Sequence, residues 1–271
     1  MKYGQLVIGP AGCGKSSYCA LMLQHCEVSK RSCRVVNLDP AAEYFSYTCD
    51  VDIRNLISVE DVMKELQLGP NGALLYCMDY LIDNMEWLES EMGDLPDDAI
   101  ILFDCPGQLE LFSHSNVMIT VTQALLAWDF RLCGICCLDV SFATEASKLL
   151  AGSISALSAM IQLELPHLNV LTKCDLLHQA DLSETENAAL LDSLLQKEPA
   201  ELLSELQSSM PAKYFAINEA FATILEDYSL VSYLPLNPND EESIGQVMFA
   251  VDTALQFSDD MEPRAVYDIE G

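Results

Sequence analysis

The segment Gly9 to Ser16, with the sequence GPAGCGKS, combines the residue types and spacing of a phosphate-binding loop. It matches the pattern G-x-x-x-x-G-K-[ST] at every fixed position, after a strand-like run and before a helix-like one. Glycines let backbone N–H groups turn toward phosphate oxygens, the lysine bridges the β- and γ-phosphates, and the hydroxyl binds Mg²⁺. A chance glycine-rich turn is the alternative. The predicted phosphate ligands are Gly12, Cys13, Gly14, Lys15, Ser16 and Ser17, with Ser16 also a predicted metal ligand.

Cys13 lies inside this loop and allows two interpretations. A thiol close to phosphate-binding groups and to a helix N-terminus can have a lowered pKa and oxidise readily. The other interpretation is a small loop side chain without a chemical role. We favour the second, because nothing else in the local sequence points to thiol chemistry.

A carboxylate follows the apolar run Ile100 to Phe103. Asp104 is therefore expected at the carboxyl edge of a parallel sheet, where an acidic residue can bind the metal ion of a nucleotide. The spacing D-x-x-G from Asp104 to Gly107 brings a backbone N–H near the γ-phosphate, so the following loop can respond to the loss of that phosphate. An Asp in an ordinary turn is the alternative.

A second strand-like run, His167 to Thr172, leads into the pattern T-K-x-D. The carboxylate of Asp175 can accept hydrogen bonds from N1–H and the exocyclic amine of guanine, and adenine offers no such pair of donors. Unpaired polar groups strongly disfavour the wrong base. Lys173 is predicted to cover the base plane with its stem. In this order after the other two motifs, Thr172, Lys173 and Asp175 favour GTP over ATP.

The composition restricts the partners. Thirteen Lys plus Arg against 42 Asp plus Glu give a net charge of −29 over 271 residues. Such a field repels nucleic acids and anionic lipid headgroups, so basic or neutral protein surfaces are the expected partners. A nucleotide is also an anion, and its site must therefore be built from backbone N–H groups, a helix N-terminus and a metal ion.

Eleven cysteines occur in a chain that starts with a strand-like run instead of a signal peptide, which predicts free thiols in a reducing compartment. Cys133 and Cys136 have a C-x-x-C spacing that suits half of a zinc or redox site. Small core residues are the favoured interpretation, because the run is apolar and no second pair follows. No stretch of ~20 uncharged apolar residues is present, so we expect a soluble protein without a membrane partner.

Short apolar runs alternate with longer helical patterns along the chain, which predicts an α/β fold with a doubly wound, mainly parallel sheet. The apolar residues of these runs are contiguous, so helices should cover both sheet faces. The predicted strands are Gln5–Ile8, Arg34–Leu38, Ile100–Phe103, Gly134–Asp139, His167–Thr172 and Ser232–Leu234. The predicted helices are Lys15–Cys26, Val59–Gln67, Ala73–Glu91, Asn116–Trp128, Thr144–Leu163, Glu184–Gln207, Lys213–Asp227 and Ser243–Phe257.

The pattern predicts one domain over residues 1–257. Within it, the acidic stretch of about residues 182–210 is punctuated by Pro199 and Pro211 and is expected to be an exposed helical insertion. Residues 258–271 are predicted to form a polar C-terminal tail. Leu234 to Asn237 is the expected base-covering loop, although its sequence departs from the usual Ser-Ala type.

The motifs together resemble one family, the GPN-loop GTPases. Gly69-Pro70-Asn71 carries the tripeptide that names the family, between the phosphate loop and Asp104. The segments Val36 to Ala41, Asp52 to Ile57 and Asp104 to Leu111 are similar to its other signatures. The resemblance spans Gly4 to Phe257 and is strongest to the third eukaryotic branch. It implies a SIMIBI-like P-loop fold that hydrolyses GTP to GDP with Mg²⁺.

The resemblance also implies roles for single residues. Asn71 would reach the nucleotide of a partner subunit and orient the attacking water in trans. Asp39, Gln108 and Glu110 would form the network around that water, with Asp39 also near the metal beside Asp104. Arg54 would lie near a moving region, although a salt bridge to an acidic neighbour is the favoured alternative.

Partners and location follow from the resemblance alone. It implies either a homodimer or a heterodimer with the paralogue GPN-loop GTPase one, binding to RNA polymerase II subunits during assembly, and nuclear import. The expected location is the cytoplasm, with shuttling to the nucleus. Two other functions remain open at this point. One is a P-loop kinase, and the other is a nucleotide-loaded scaffold or chaperone that holds clients on apolar helix surfaces such as Met118 to Trp128.

Overall fold

Seven strands form one sheet in which all neighbouring pairs are parallel. A computed structural model describes residues 2–93, 95–96, 99–108, 110–113, 115–177, 189, 191, 193, 199–227 and 232–257. The strands are β1 (Lys2–Ile8), β2 (Cys33–Asn37), β3 (Val51–Asp52), β4 (Ile100–Asp104), β5 (Phe130–Asp139), β6 (His167–Thr172) and β7 (Tyr233–Pro235). Their order across the sheet is β3-β2-β4-β1-β5-β6-β7.

Ten helices of the described residues surround this sheet. They are α1 (Lys15–Val28), α2 (Val59–Leu66), α3 (Pro70–Asp83), α4 (Met85–Gly93), α5 (Glu110–Ser113), α6 (Val117–Ala127), α7 (Ala146–Leu163), α8 (Pro199–Ser209), α9 (Phe215–Asp227) and α10 (Glu241–Leu255). The predicted α/β fold with helices on both faces is confirmed. Five of the six predicted strands lie within or overlap observed strands by most of their length, and the sixth, at Ser232–Leu234, overlaps β7.

The two faces of the sheet bury different helices because consecutive strand residues point to opposite sides. On one face, Val7 of β1 packs with Met22 of α1 and Val251 of α10. On the other, Leu6 of β1 belongs to the cluster that holds α2, α3, α4, α6 and part of α7. The layers bring the carboxyl ends of β1, β4, β5 and β6 to one edge, where the predicted motifs follow.

The C-x-x-C pair illustrates this alternation. Cys133 and Cys136 are three residues apart in β5, so they lie on opposite faces and belong to different core clusters. All eleven cysteines are free, and all except the partly exposed Cys49 are buried. The favoured interpretation of small core residues is confirmed, because thiols on opposite sheet faces cannot share a metal.

One predicted helix was wrong, and two short elements, β3 and α5, were not predicted. β3 has only two residues and was not predicted, because such a short strand leaves no periodic pattern. The helix predicted at Ala73–Glu91 is two helices that meet at Asn84. There the side-chain amide of Asn84 donates to the carbonyl oxygen of Tyr80 at 2.8 Å, a local bond that competes with the helical pattern.

The predicted acidic insertion is described only in part. Of about residues 182–210, α8 lies within the described residues and packs Leu202 and Leu206 against α7 and α9. Most of residues 178–198 lies outside the described part, as does the predicted tail at 258–271.

The helix α7 and the segment Met118 to Trp128 differ from what the sequence predicted. α7 is long and apolar enough, by length and composition alone, to cross a membrane, and 50% of this 18-residue stretch is buried within the fold, as in a core helix. On the surface suggested for client binding, Met118 to Trp128, the side chains of Met118, Val121 and Leu125 are fully buried, whereas Leu126 is 45% exposed.

Candidate nucleotide site

The phosphate loop joins β1 to α1 through three glycines with positive φ. The φ angles are +140° at Gly9, +76° at Gly12 and +92° at Gly14, which is the N-cap of α1. Other residue types are strained in this region. At Gly9 a side chain is also excluded by space, since a Cβ would lie 2.3 Å from the carbonyl oxygen of Cys137 in β5. The fold thus requires the glycines that the motif predicted.

Lys15 is buried at the start of α1 and its ammonium group lies across the loop. Nζ donates to the carbonyl oxygens of Gly9 and Pro10, both at 3.3 Å. The backbone N–H groups of the first helical turn, at Lys15, Ser16 and Ser17, have no partner within the helix, because the first helical bond is from Tyr18 to Gly14. A buried cation and these donors form a site for an anion despite the acidic surface.

Cys13 has no activated thiol. Its side chain is buried, and burial raises its pKa, although the nearby ammonium groups of Lys15 and Lys173 oppose the shift. A raised pKa disfavours the reactive thiolate. The interpretation of Cys13 as a small loop residue is therefore supported.

Gly107 contacts the phosphate loop directly. A Cβ on Gly107 would lie 2.8 Å from the Cα of Ala11 and 2.9 Å from Nζ of Lys15. The D-x-x-G segment after β4 therefore meets the loop after β1 with no room for a side chain. This brings its backbone to the place where the γ-phosphate contacts of Lys15 are expected.

Three oxygen-bearing side chains lie together at the same edge. Asp104 ends β4 and is buried, which raises its pKa, while hydrogen bonds from Ser16 and Tyr47 and the charge of Lys15 lower it. Burial also raises the pKa of Asp39, opposed by the backbone N–H of Ala41 and by Lys15 and Arg54. The two carboxylates interact electrostatically. Hard oxygen donors such as these suit Mg²⁺. A few of them are sufficient, because Mg²⁺ keeps several water and phosphate ligands.

The T-K-x-D segment at the end of β6 touches the phosphate loop. The Thr172 hydroxyl donates to the carbonyl oxygen of Cys13 at 2.5 Å, and Nζ of Lys173 donates to that of Gly12 at 2.7 Å. Lys173 has a φ of +59°, which turns its side chain back over the loop. Asp175 follows in a short 3₁₀ helix and is half-buried. The predicted base-binding and phosphate-binding segments are thus neighbours.

Asp139 at the end of β5 completes this corner and was not predicted as a site residue. Its carboxylate lies 2.6 Å from Nζ of Lys173. Burial by itself would raise the pKa of Asp139, but hydrogen bonds from Lys173 and Ser141 outweigh it and hold this pKa below its usual value. An Asp at the carboxyl end of a predicted strand was the available signal, the same one that identified Asp104.

The expected base-covering loop lies beside Asp175. Leu236 donates its N–H to the carbonyl oxygen of Leu171 at 2.8 Å and accepts from the N–H of Cys174 at 3.3 Å. Asn237 is held by the Ser243 hydroxyl at the start of α10. Of the expected loop, Leu234 and Pro235 belong to β7, and only Leu236 and Asn237 lie in the connection to α10.

The Gly69-Pro70-Asn71 tripeptide begins a helix. Gly69 is the N-cap of α3 and Pro70 occupies the first helical position, where its missing N–H costs no hydrogen bond. Asn71 is exposed on this first turn, and its Oδ1 accepts from Nε2 of Gln108 of the same chain at 3.5 Å. Glu110, two residues after Gln108 in the chain, begins α5. The structure therefore brings Asn71 and Gln108 together within one chain.

Arg54 is engaged in the salt bridge favoured above. Its guanidinium donates to both carboxylate oxygens of Asp52, with the shortest distance 2.6 Å, and to the carbonyl oxygen of Ala42 at 2.9 Å. It also lies 4.4 Å from the centroid of the Phe45 ring. Arg54 thus fastens the segment that follows Asp39. Among the other described arginines, Arg31 pairs with Asp252 and Arg34 with Asp50, so they do not form the arginine-rich lid of a kinase.

A family model described as "Conserved hypothetical ATP binding protein" matches residues 7–257. GPN-loop GTPase 3 of Xenopus tropicalis is 45% identical over 96% of this chain and 90% of that protein. GPN-loop GTPase 3 of Dictyostelium discoideum is 44% identical over 97% of this chain and 90% of that protein. The family description names ATP, whereas the curated relatives are named GTPases.

A solved structure has the same fold. The crystal structure of a GTPase in apo form from Pyrococcus abyssi superposes with a TM-score of 0.75, covering 93% of this chain and 97% of that one. The two sequences are 19% identical. The likeness extends over nearly the whole of both chains, in agreement with the fold described above.

Proposed function

We propose that this chain, which belongs to the GPN-loop GTPase family and hydrolyses GTP, acts as a Mg²⁺-dependent dimeric switch. In this dimer each nucleotide site is shared between the two subunits. The observation that carries the proposal is the position of Asn71. It is exposed on the first turn of α3, so a neighbouring subunit can reach it. An exposed amide of this kind suits a residue that acts across an interface, whereas its 3.5 Å contact with Gln108 is made within its own chain.

The phosphates are proposed to lie on the loop from Gly9 to Ser16. Lys15 would neutralise the γ-phosphate, and the N–H groups of Gly12 to Ser17 would bind the other oxygens. Thr172, Lys173 and Asp175 would hold the guanine base, with Asp175 selecting it. Ser16, Asp104 and Asp39 would hold Mg²⁺, which neutralises the charge that develops on the phosphate oxygens when it is bound.

The attacking water is proposed to be oriented by side-chain hydrogen bonds. Gln108 lies one residue after Gly107, which contacts the phosphate loop, and its amide is proposed to reach the γ-phosphate edge. Asp39 and Glu110 would complete the network, and Asn71 would add a hydrogen bond from the partner subunit. Because these residues act by geometry, hydrolysis depends on how accurately the subunits meet. Loss of the γ-phosphate removes contacts at Gly107 and so can change the state of the switch.

An apolar surface next to Asn71 supports the dimer. Five large apolar side chains of α2, α3 and the turn between them have exposed fractions of 38–47%. Exposed patches of this kind commonly mark protein interfaces. The residues are Leu66, Leu68, Leu75, Tyr76 and Tyr80. We infer that a second GPN-loop subunit covers this surface, either a copy of this chain or the paralogue GPN-loop GTPase one.

We further propose that the dimer assists assembly of RNA polymerase II subunits and their import into the nucleus, moving between cytoplasm and nucleus. The family resemblance motivates this role. The charge of −29 is compatible with it, because it favours basic or neutral protein partners over nucleic acid. Binding of purified polymerase subunits should differ between GTP-analogue and GDP states, and equal binding in both would contradict a switch in this role.

Mixing two defective subunits tests the shared site. Lys15→Ala should lose nucleotide but keep Asn71, and Asn71→Ala should bind GTP but lack the amide. If Asn71 acts in trans, a coexpressed mixture recovers on the order of a quarter of wild-type hydrolysis per chain, because half of the dimers contain one complete site. A mixture of Asn71→Ala with the Lys15→Ala/Asn71→Ala double variant is the matched control and should stay inactive. Equal activity of both mixtures would contradict the shared site.

The interface needs a test of its own. Tyr76→Glu should shift the chain toward monomer in sedimentation, because a charge in an apolar interface is poorly solvated. Tyr44→Glu changes a side chain that is 90% exposed and should leave the mass unchanged. A dimer that persists in Tyr76→Glu places the interface elsewhere. Removing Mg²⁺ with a chelator should stop hydrolysis without dissociating the dimer.

A further inference from the structure

Tyr47 contacts the carboxylate that is expected to hold the metal, and no motif identified it. Its hydroxyl donates to Oδ2 of Asp104 at 2.8 Å. A hydrogen bond from Ser16 reaches the same carboxylate. The proposed metal ligand is thus already bound by two side-chain hydroxyls. A carboxylate lone pair that accepts a hydrogen bond is less available to a cation.

The segment that carries Tyr47 is irregular. Residues 38–50 form no helix or strand between β2 and β3, and Tyr44 within it is 90% exposed. The Tyr47 ring stacks on Phe45, with centroids 5.0 Å apart and an interplanar angle of 25°. Irregular exposed segments have low local stability compared with the strands they connect. The segment can therefore rearrange without disturbing the sheet.

A short series of contacts joins Tyr47 to the rigid part of the fold. Phe45 lies between Tyr47 and the guanidinium of Arg54, which is 4.4 Å from the Phe45 centroid. Arg54 is in turn fixed by Asp52 at the end of β3. At the other end of the segment, the N–H of Ala41 donates to Oδ1 of Asp39 at 2.9 Å. Both acids expected near the metal, Asp39 and Asp104, thus make hydrogen bonds to this segment.

We propose that Tyr47 is a metal-sensing latch, which holds Asp104 when Mg²⁺ is absent and releases it when Mg²⁺ binds with nucleotide. The inference rests on the proposed function, since it assumes that Asp104 serves the metal. It names the regulation of that site: the Tyr47 phenol holds the middle of the segment from Ala41 to Asp50 on Asp104, and metal binding frees that part, while Arg54 and Asp50 keep the two ends attached. Tyr47 is a positioning residue, because it acts on the metal only through Asp104. Its pKa is raised by burial and by the charge of Asp104, so the hydroxyl stays a neutral donor.

The removal of one oxygen atom tests the latch. Mn²⁺ is used as the probe, and its binding to the GDP-loaded chain is followed by the loss of the free-ion signal in electron paramagnetic resonance. Tyr47→Phe should bind the ion about 10-fold tighter than wild type, because no hydrogen bond to the carboxylate has to be broken. Tyr44→Phe removes the same atom from an exposed side chain in the same segment and should match wild type.

The outcomes separate this inference from the proposed function. If wild type takes up the ion and Tyr47→Phe binds it equally or more weakly, the latch is wrong and the metal site stands. If wild type with GDP takes up no ion, the proposed metal site and the latch both fail. GDP affinity measured without metal should be the same for wild type and Tyr47→Phe, since Tyr47 does not contact the phosphate loop in the bonds described.

Hydrogen exchange gives a second measurement on the unaltered chain. At saturating GDP, peptides that cover residues 41–50 should exchange several-fold faster with Mg²⁺ than without it, because release of Tyr47 loosens the segment. Peptides from β1 and β4 should not change. Slower or equal exchange of residues 41–50 with Mg²⁺ would overturn the latch even if Tyr47→Phe did not fold.

Discussion

The ammonium group of Lys173 donates to the carbonyl oxygen of Gly12 at 2.7 Å, so the residue expected over the base is bonded to the loop expected to hold the phosphates. The same group lies 2.6 Å from the carboxylate of Asp139. One cation thus connects the ends of β5 and β6 with the loop after β1. Base and phosphate recognition share a physical connection, which makes the affinity for each part of the nucleotide depend on the other.

Lys173→Met should weaken binding of GDP, and equally of GTP, roughly 30-fold. Methionine keeps most of the apolar stem but loses the ion pair with Asp139 and the bond to Gly12, and each such half-buried charged contact contributes ~1 kcal/mol. Calorimetric titration of GDP measures the effect. Lys148→Met, which removes an exposed lysine paired with Glu145, is the matched control and should bind normally. Normal binding by Lys173→Met would show that the connection is dispensable.

Asp175→Asn should change which base is bound. The amide can donate to the 2-oxo group of xanthine but cannot accept from both N1–H and the exocyclic amine of guanine, so one buried donor of guanine is left unpaired. GTP affinity should fall at least ~100-fold, and xanthosine triphosphate should become the better ligand. Competition between the two nucleotides for the variant measures this directly. Retention of full GTP preference would place the base contact at another residue.

Gly107→Ala should disturb the phosphate site while the chain still folds. The added methyl would meet the backbone of Ala11 at 2.8 Å and Nζ of Lys15 at 2.9 Å, so the loop or the lysine must move. Overpacking of this kind costs ~1–3 kcal/mol, and GTP affinity should fall on the order of 10- to 100-fold. Gly245→Ala, in α10 with no neighbouring atom within 4 Å, is the control and should bind normally and be slightly more stable. Equal affinity of the two variants would remove Gly107 from the site.

His167→Phe should stabilise the chain, and more so in acid. Burial lowers the pKa of His167 to about 4, and neither ring nitrogen has a hydrogen-bond partner in the described structure. The unfolded chain binds a proton near pH 6.5 but the folded chain does not, so wild type loses stability as pH falls from 6.5 to about 4. The loss is roughly 1.4 kcal/mol per pH unit within that window.

The phenylalanine variant lacks this titration. Chemical denaturation at pH 7.5 and pH 5 should show that the advantage of His167→Phe grows by ~1–2 kcal/mol between the two values, because other ionisable groups are shared and cancel. An advantage that is constant with pH would mean that the pKa of His167 is the same in the folded and unfolded chains.

Local sequence was sufficient for the parts of the site that lie in one segment. Three positive-φ glycines and a lysine at the start of a helix are a property of eight consecutive residues, and Gly9 to Ser16 forms this loop as predicted. Contiguous apolar runs likewise predicted the buried strands, since a strand covered on both faces must be apolar throughout. The carboxylates Asp104 and Asp175 could be found because Asp104 ends such a run and Asp175 lies three residues after another.

Relationships between segments could not be predicted in this way. Tyr47 and Asp104 are 57 residues apart, and no spacing rule connects an exposed irregular segment with a strand end. The contact of Asn71 with Gln108 depends on α3 beginning at Pro70, which the periodic pattern placed later. Asp139 had the signal of a strand-terminal acid, but only the neighbouring register of β5 and β6 shows that it pairs with Lys173.

By itself, then, the sequence determined which residues are candidates to bind phosphate, metal and guanine, because those chemistries depend on side-chain type and on short spacings. The tertiary structure decided which of them meet. The parallel order of β4, β1, β5 and β6 brings four strand ends to one edge, so Asp104, Lys15, Asp139 and Lys173 share a corner. That order arises from the packing of helices on both faces. Contacts between residues that are 50 or more positions apart leave no periodic pattern in the sequence.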